Sequence, residues 1–307
     1  MSVNIPTHYV QQYSTNLQLL LQQKGSKLRD TVTVGSGYVG KQASPVDQVG
    51  SIAAQKVMSR FAAMGRVDAP TDRRWVFPVD YDLPQLIDNF DKLRLLTDPQ
   101  STYVTNAVYA MGRAIDDEII AAYFGDAKTG ENGGTTTSFG TTVTTSGGQN
   151  VSVGVGGTTS GLNVAKLREG KRRLMANEVD LDSDPLMCPV TATQHDNLLN
   201  EVQVVSGDFG WKDAPVLLDG KLDRFLGINF KHCERLTTGT DDAAGTSRAI
   251  PLYAKSGMHL AIWGDIQNDI RQRGDLQGLP YQLYSMGTFG ATRLEERKIV
   301  RIWCRES

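Results

Sequence analysis

The side chains that could do chemistry are few and far apart. Three cysteines, Cys188, Cys233 and Cys304, are odd in number and lie in separate stretches. That pattern suits a reducing compartment and offers no disulfide framework. A thiol nucleophile needs a base and an orienting third group beside it. Cys188 and His195 could approach if the strand carrying one packs on the helix carrying the other, but a thiol in an apolar strand is ordinarily inert packing. His232 and Cys233 are neighbours on a predicted strand and point to opposite faces. The histidines His8, His195, His232 and His259 have no metal-ligand spacing. Asp116, Asp117 and Glu118 could serve as acid, base or ligand, yet consecutive residues on a helix point around it. They are therefore read as a solvated or intersubunit face. Gly154, Gly156 and Gly157 lack the lysine of a phosphate loop. No Gly-x-Ser-x-Gly elbow, His-Glu-x-x-His helix or Cys-x-x-Cys pair occurs. The expectation is a protein with no catalytic, cofactor-binding or metal site.

The whole chain bounds the reading further. Its 307 residues, 40% of them hydrophobic, are enough for one large domain or two lobes. With 32 basic and 34 acidic residues the net charge is -2, which is no global signature of a nucleic-acid binder. No stretch approaches the roughly 20 apolar residues that span a bilayer. The polar stretch Met1 to Gln23 lacks the basic start and apolar centre of a signal peptide, so an intracellular product without a membrane partner is expected.

The elements that would position these residues come in a distinctive order. Tyr9, Tyr13, Leu17, Leu20 and Leu21 recur at helical spacing within a polar arm, followed by an alternating stretch, Lys27 to Val34. Residues 46–85 contain a turn at Ala69-Pro70-Thr71-Asp72, then Arg74-Trp75-Val76-Phe77-Pro78-Val79, a strand that Pro78 places at an edge. Arg73 and Arg74 stand beside the aromatics. This is either an extended hairpin reaching over a neighbour or an ordinary surface hairpin with a basic face. A long helix then starts at Asp98 and Pro99, carries an apolar stripe through Tyr103, Ala107, Ala110, Met111, Ala114, Ile115, Ile119 and Ala122, and stops at Gly125. Residues 126–161 are rich in Thr, Gly, Ser and Val, which predicts an extended β-hairpin or a flexible surface insertion.

A basic amphipathic helix is predicted over Asn163 to Asn177, with Val164, Leu167, Leu174 and Met175 inward and Lys166, Arg168, Lys171, Arg172 and Arg173 outward. Strands and helices alternate from 180 to 285. A last strand, Lys298 to Cys304, alternates apolar and charged residues.

Several stretches carry a resemblance to a known family: Gln22-Gln23-Lys24-Gly25-Ser26-Lys27-Leu28-Arg29; Asp72-Arg73-Arg74; Asp98-Pro99-Gln100-Ser101-Thr102-Tyr103; Gly287-Thr288-Phe289-Gly290-Ala291-Thr292-Arg293-Leu294-Glu295-Glu296; and the closing strand. In these, and in the order of its parts, the chain resembles the tailed-bacteriophage major capsid proteins with the Hong Kong 97-type capsid fold, an α+β fold. The resemblance implies an N-terminal arm (1–45), an extended loop lying across a neighbour (46–85) and a peripheral domain (86–179) with spine helix 98–125 and β-rich insert 126–161. It further implies an axial domain (180–285) and a C-terminal strand (286–307) returning to the peripheral domain.

On this reading Arg73, Arg74, Trp75, Phe77, Tyr9 and Tyr13 are candidate intersubunit contacts. The implied partners are copies of the chain as pentamers and hexamers, separate scaffolding, portal and decoration proteins, and packaged double-stranded DNA on the inner face. The implied location is the virion, assembled in the host bacterial cytoplasm. Some such shells cross-link lysine to asparagine. Lys56 and Asn268 lie in suitable loops, but nothing selects a pair, and no cross-link is predicted. An encapsulin-like compartment shell and another phage structural part, a decoration or tail protein, are the competing readings.

Overall fold

The computed structural model describes residues 21–56, 65–87, 100–140, 148–156, 160–201, 222–239 and 246–306. Tyr9, Tyr13, the arm's predicted helix, the Asp98–Pro99 helix start and the middle of the threonine-rich run lie outside the described residues.

The long helix α1 spans Gln100–Phe124. Ala107, Met111, Ile115, Ile119 and Tyr123, each four residues apart, are buried along one face, the stripe that a helix sheds onto a core. Gly125 closes it, donating its N–H to Ala121 O at 3.0 Å. The helix lies on a four-stranded sheet ordered β1 (Thr33–Ser36), β13 (Met258–Gln272), β14 (Tyr281–Arg293), β4 (Val79–Ile87). On β14, Leu283, Ser285 and Phe289 are buried at every second position. Gly287 lies against the helix: a Cβ there would come within 3.1 Å of the Met111 side chain.

A second sheet is ordered β7 (Asn150–Val151), β15 (Ile299–Arg305), β12 (Ser247–Ala254), β8 (Leu186–Val190), β10 (Ile228–His232), β9 (Arg224–Phe225), with β11 (Thr238–Gly239) paired to β12. Helix α2 (Val164–Ala176) packs on it so closely that a Cβ at Gly170 would lie 2.8 Å from Leu252. Strands β8 and β10 are parallel, and α3 (Ala192–Leu199) lies in the crossover between them. A third, antiparallel sheet holds β2 (Ala43–Val49), β3 (Thr71–Val76), β5 (Ala127–Thr129) and β6 (Thr135–Thr137). One apolar core runs through α1, α2 and the first two sheets.

Five expectations are corrected. The closing strand β15 does not return to the sheet beside α1; it pairs with β12 and β7. Both of its faces are covered, so Val300, Ile302 and Cys304 are buried along with Ile299 and Trp303. Residues 258–272 and 281–293, expected within one axial unit, form the hairpin against α1 instead. On α2, Lys166 is fully buried while Met175 is 58% exposed. The lysine turns in because Ser160 O, Gly161 O and Trp303 O satisfy its ammonium at 2.5, 2.9 and 2.9 Å. The insert is not wholly a surface feature, since Phe139, Val151 and Val153 enter the core. Lastly, Lys27 to Val34 is not one strand: Arg29–Thr31 is a 3-10 turn before β1.

Candidate functional site

Strands β2 and β3 form the predicted hairpin, pairing Val46 with Arg74 and Val49 with Thr71. Beyond that last pair, residues 50–56 and 65–68 stay exposed. Val49, Ile52 and Val67 are 69%, 62% and 46% exposed, so the projecting end carries apolar surface that the chain itself does not cover.

The root of the hairpin is fixed firmly. Alternation along β3 turns Arg74 and Val76 inward, at 5% and 2% exposure. Arg74, expected at an intersubunit contact, is thus an internal anchor whose two terminal nitrogens meet Glu296 at 2.8 and 2.6 Å. Arg73 and Trp75 face the other way. Arg73 pairs with Asp47 across the hairpin and lies 5.6 Å from the Trp75 ring centre. The Trp75 indole N–H donates to Gly130 O at 2.7 Å. Phe77 is 41% exposed just past the strand. Among the contact candidates within the described residues, Arg73 and Phe77 therefore present surface, Trp75 is half-buried, and Arg74 is withdrawn.

Glu296 also faces Arg293, which is fully buried and whose Nε lies 3.4 Å from it. The Arg293 guanidinium donates to Tyr123 O at 3.1 Å, Gly125 O at 2.8 Å and Thr137 O at 3.3 Å. It thereby caps the carbonyl end of α1, where a cation is favoured. Burial pulls its pKa down, opposed by Glu296. Arg301 sits over Phe124 and Phe139 at 4.6 and 4.7 Å. The arm is tied to α1 as well. Asp116, predicted on a solvated or intersubunit face, is fully buried and accepts bonds from Ser26, Lys27 and Leu28. A buried hydroxyl chain runs from Tyr123 to Tyr253 at 2.9 Å and on to Thr31 at 2.7 Å. Asp117 pairs instead with Arg235, and Glu118 accepts from Tyr81.

The reactive groups are held inert. Burial raises the Cys188 thiol far above its ordinary range, pushes Cys304 up to about 12 and raises Cys233 too. These thiols keep their protons, and the thiolate is the nucleophilic form. His195 Nε2 accepts the Leu222 N–H at 3.2 Å. Burial lowers His259 to about 4, and its Nε2 lies 2.8 Å from the Tyr38 hydroxyl. Among the described residues no group of three or more His, Cys, Asp or Glu could hold a metal ion, and no helix is long and apolar enough to cross a membrane.

Arg293, Asp116 and Lys166 are the organising polar residues that sequence reasoning missed. Nothing in their spacing marks them, because each needs at least one partner from a distant segment.

Comparisons with known proteins agree with this architecture. The chain matches the phage capsid protein family over residues 5–306. No curated protein sequence matches it. It is similar to the capsid of cyanophage Pam1, with a TM-score of 0.73 at 12% identity over 99% of each chain. It is also similar to the capsid of cyanophage P-SCSP1u, with a TM-score of 0.70 at 14% identity over 98% of this chain and 94% of that one. A third likeness is to the capsid of Helicobacter pylori bacteriophage KHP30, with a TM-score of 0.68 at 10% identity over 98% and 97%. The family model covers nearly the whole chain and these structures match it from end to end, so this chain belongs to the phage capsid protein family, with the Hong Kong 97-type capsid fold.

Proposed function

We propose that this chain is the major capsid protein of a tailed bacteriophage, whose copies close the icosahedral head shell around double-stranded DNA. The observation that carries the reading is the projecting hairpin: a firmly anchored root, and an end whose Val49, Ile52 and Val67 are uncovered by the chain's own body. Apolar surface of that kind gains its burial only on a second molecule. Closed symmetry then lets many modest contacts hold each subunit. Pentamers and hexamers are the expected assemblies. The sheet of β7, β15, β12, β8, β10 and β9 with α2 and α3 corresponds in this reading to the axial lobe, and α1 with its four-stranded sheet to the peripheral one. Scaffolding, portal and decoration proteins would be separate chains, and assembly would take place in the host bacterial cytoplasm before the protein enters the virion. The role is structural rather than enzymatic, which fits the protonated, buried thiols.

Electron microscopy of the expressed protein tests this. Uniform closed shells are expected. Monomers that persist across salt, concentration and crowding conditions would overturn the proposal.

A further inference from the structure

The buried carboxylate on α1 is satisfied in an unusual way. Asp116 lies in the middle of a helix and has no exposure, and among the described residues no cation forms an ion pair with it. Its charge is met by neutral donors, all from one short segment of the arm. Lys27 N–H reaches Oδ2 at 2.9 Å and Leu28 N–H reaches Oδ1 at 3.0 Å. The Ser26 hydroxyl and the Gln23 amide nitrogen complete the set. One turn earlier on α1, Gly112 makes room for the segment, since a Cβ there would lie 2.6 Å from Ser26 N. Arg113 adds bonds to Gln22 Oε1 at 2.7 Å and Gln23 O at 3.2 Å.

Little else holds the segment: among the described residues, Lys27 Nζ also lies 3.3 Å from His232 Nδ1. Leu21 is fully exposed and Lys24 is exposed; among the described residues the first buried apolar side chain of the arm is Leu28, followed by Val32. Residues 22–27 are thus docked by polar bonds, and such bonds exchange with bonds to water at small net cost. Asp116 itself loses little when the segment leaves, because its place on the helix surface then opens to water. From Leu28 onward the chain is part of the core. The boundary between a removable part and a fixed part falls at one residue.

We propose that Gln22–Lys27 is a strap whose main latch to α1 is the carboxylate of Asp116, with Arg113 as a second, weaker hold. The strap lifts as a unit up to Leu28 while the body stays folded.

The test is amide hydrogen exchange on subunits before assembly, so its outcome does not depend on whether shells form. In the wild-type chain, the Lys27 and Leu28 amides should exchange through a local opening, faster than the Ile250 and Leu252 amides of β12. Asp116→Asn puts an amide NH2 against groups that are already donors. It should speed exchange at Lys27 and Leu28 by about tenfold or more and leave β12 unchanged. Trypsin should then cut after Lys24 and Lys27 in the variant well before it cuts the body. If Asp116→Asn folds poorly, the double substitution Gln23→Ala, Ser26→Ala removes donors from the strap side alone and should give the same pattern more weakly. Unchanged exchange at Lys27 and Leu28 in these variants would overturn the latch. So would an equal rise in β12, because the strap would then be no separate unit.

Discussion

At the scale of single residues, Arg293 carries more of the structure than its place in a strand suggests. It is fully buried, yet it donates to carbonyls from α1 and from β6, and it faces the same glutamate that anchors Arg74. Removing one member of such a buried charged set leaves the others without compensation and typically costs about 3–5 kcal/mol. Arg293→Ala should therefore lower subunit stability by about that amount in denaturant titration, and Arg293→Lys should recover only part of it, because one compact ammonium cannot reach at once the carbonyls that Nη1 and Nη2 take and the glutamate beside Nε. A loss below about 1 kcal/mol for the alanine variant, the size of one ordinary hydrogen bond, would show that the cap is dispensable. Neither this role nor that of Asp116 or Lys166 could be read along the chain. Asp116 and Lys166 sit at polar positions of their helices, where periodicity assigns a side chain to water, and Arg293, though in phase with buried Leu283 and Phe289 on β14, is of a type that is rarely buried. Partners brought in by the fold turn them inward: Gly125 O for Arg293, the Lys27 N–H for Asp116, and Trp303 O together with Ser160 O and Gly161 O for Lys166.

At the scale of elements, legibility followed the number of covered faces. The stripe on α1 was readable because one face is apolar and the other is not; Ala107, Met111, Ile115 and Ile119 are where the spacing puts them. The extent of α2 was readable too, expected over Asn163 to Asn177 and found at Val164–Ala176, where Asn163 accepts the Lys166 N–H at 2.8 Å. The far half of the β13–β14 hairpin was not, since Gln267 to Gln272 and Tyr281 to Met286 are largely polar on the open face of the sheet. Gly112 allows two properties of α1 to be separated. Gly112→Pro removes a helix hydrogen bond and clashes with the preceding turn, at about 3 kcal/mol or more, so it should abolish soluble, assembling subunits. Gly112→Ala favours the helix by roughly 1 kcal/mol but sets a Cβ against Ser26 N. It should leave the circular dichroism of the body intact while exposing Lys24 and Lys27 to trypsin. An alanine variant as protease-resistant as wild type would mean that the arm does not need this close approach.

At the scale of the whole molecule, the body is closed by pairings between its two ends, and the hairpin is left out of that closure. Thr33 pairs with His259, Val79 with Phe289, and Arg74 with Glu296. The order of parts along the chain pointed to a shell protein, but these partners hundreds of positions apart could not be inferred from it, because local pattern does not encode which strand a distant strand will join. The described residues beyond the last β2–β3 pair, 50–56 and 65–70, make a contrast. Val49 and Thr71 already face each other in register, so a two-residue Asn-Gly turn can replace everything between them without disturbing β2 or β3. Shortening a surface loop costs the folded state little, and the subunit's thermal midpoint should stay within about 3 °C of wild type. If the hairpin's exposed Ile52 and Val67 find their burial on a neighbour, however, the same variant should fail to close shells and remain as soluble subunits or small oligomers on gradients. Closed shells of normal size from the shortened chain would place the contacts between subunits elsewhere, and would leave the reaching hairpin an ordinary surface loop.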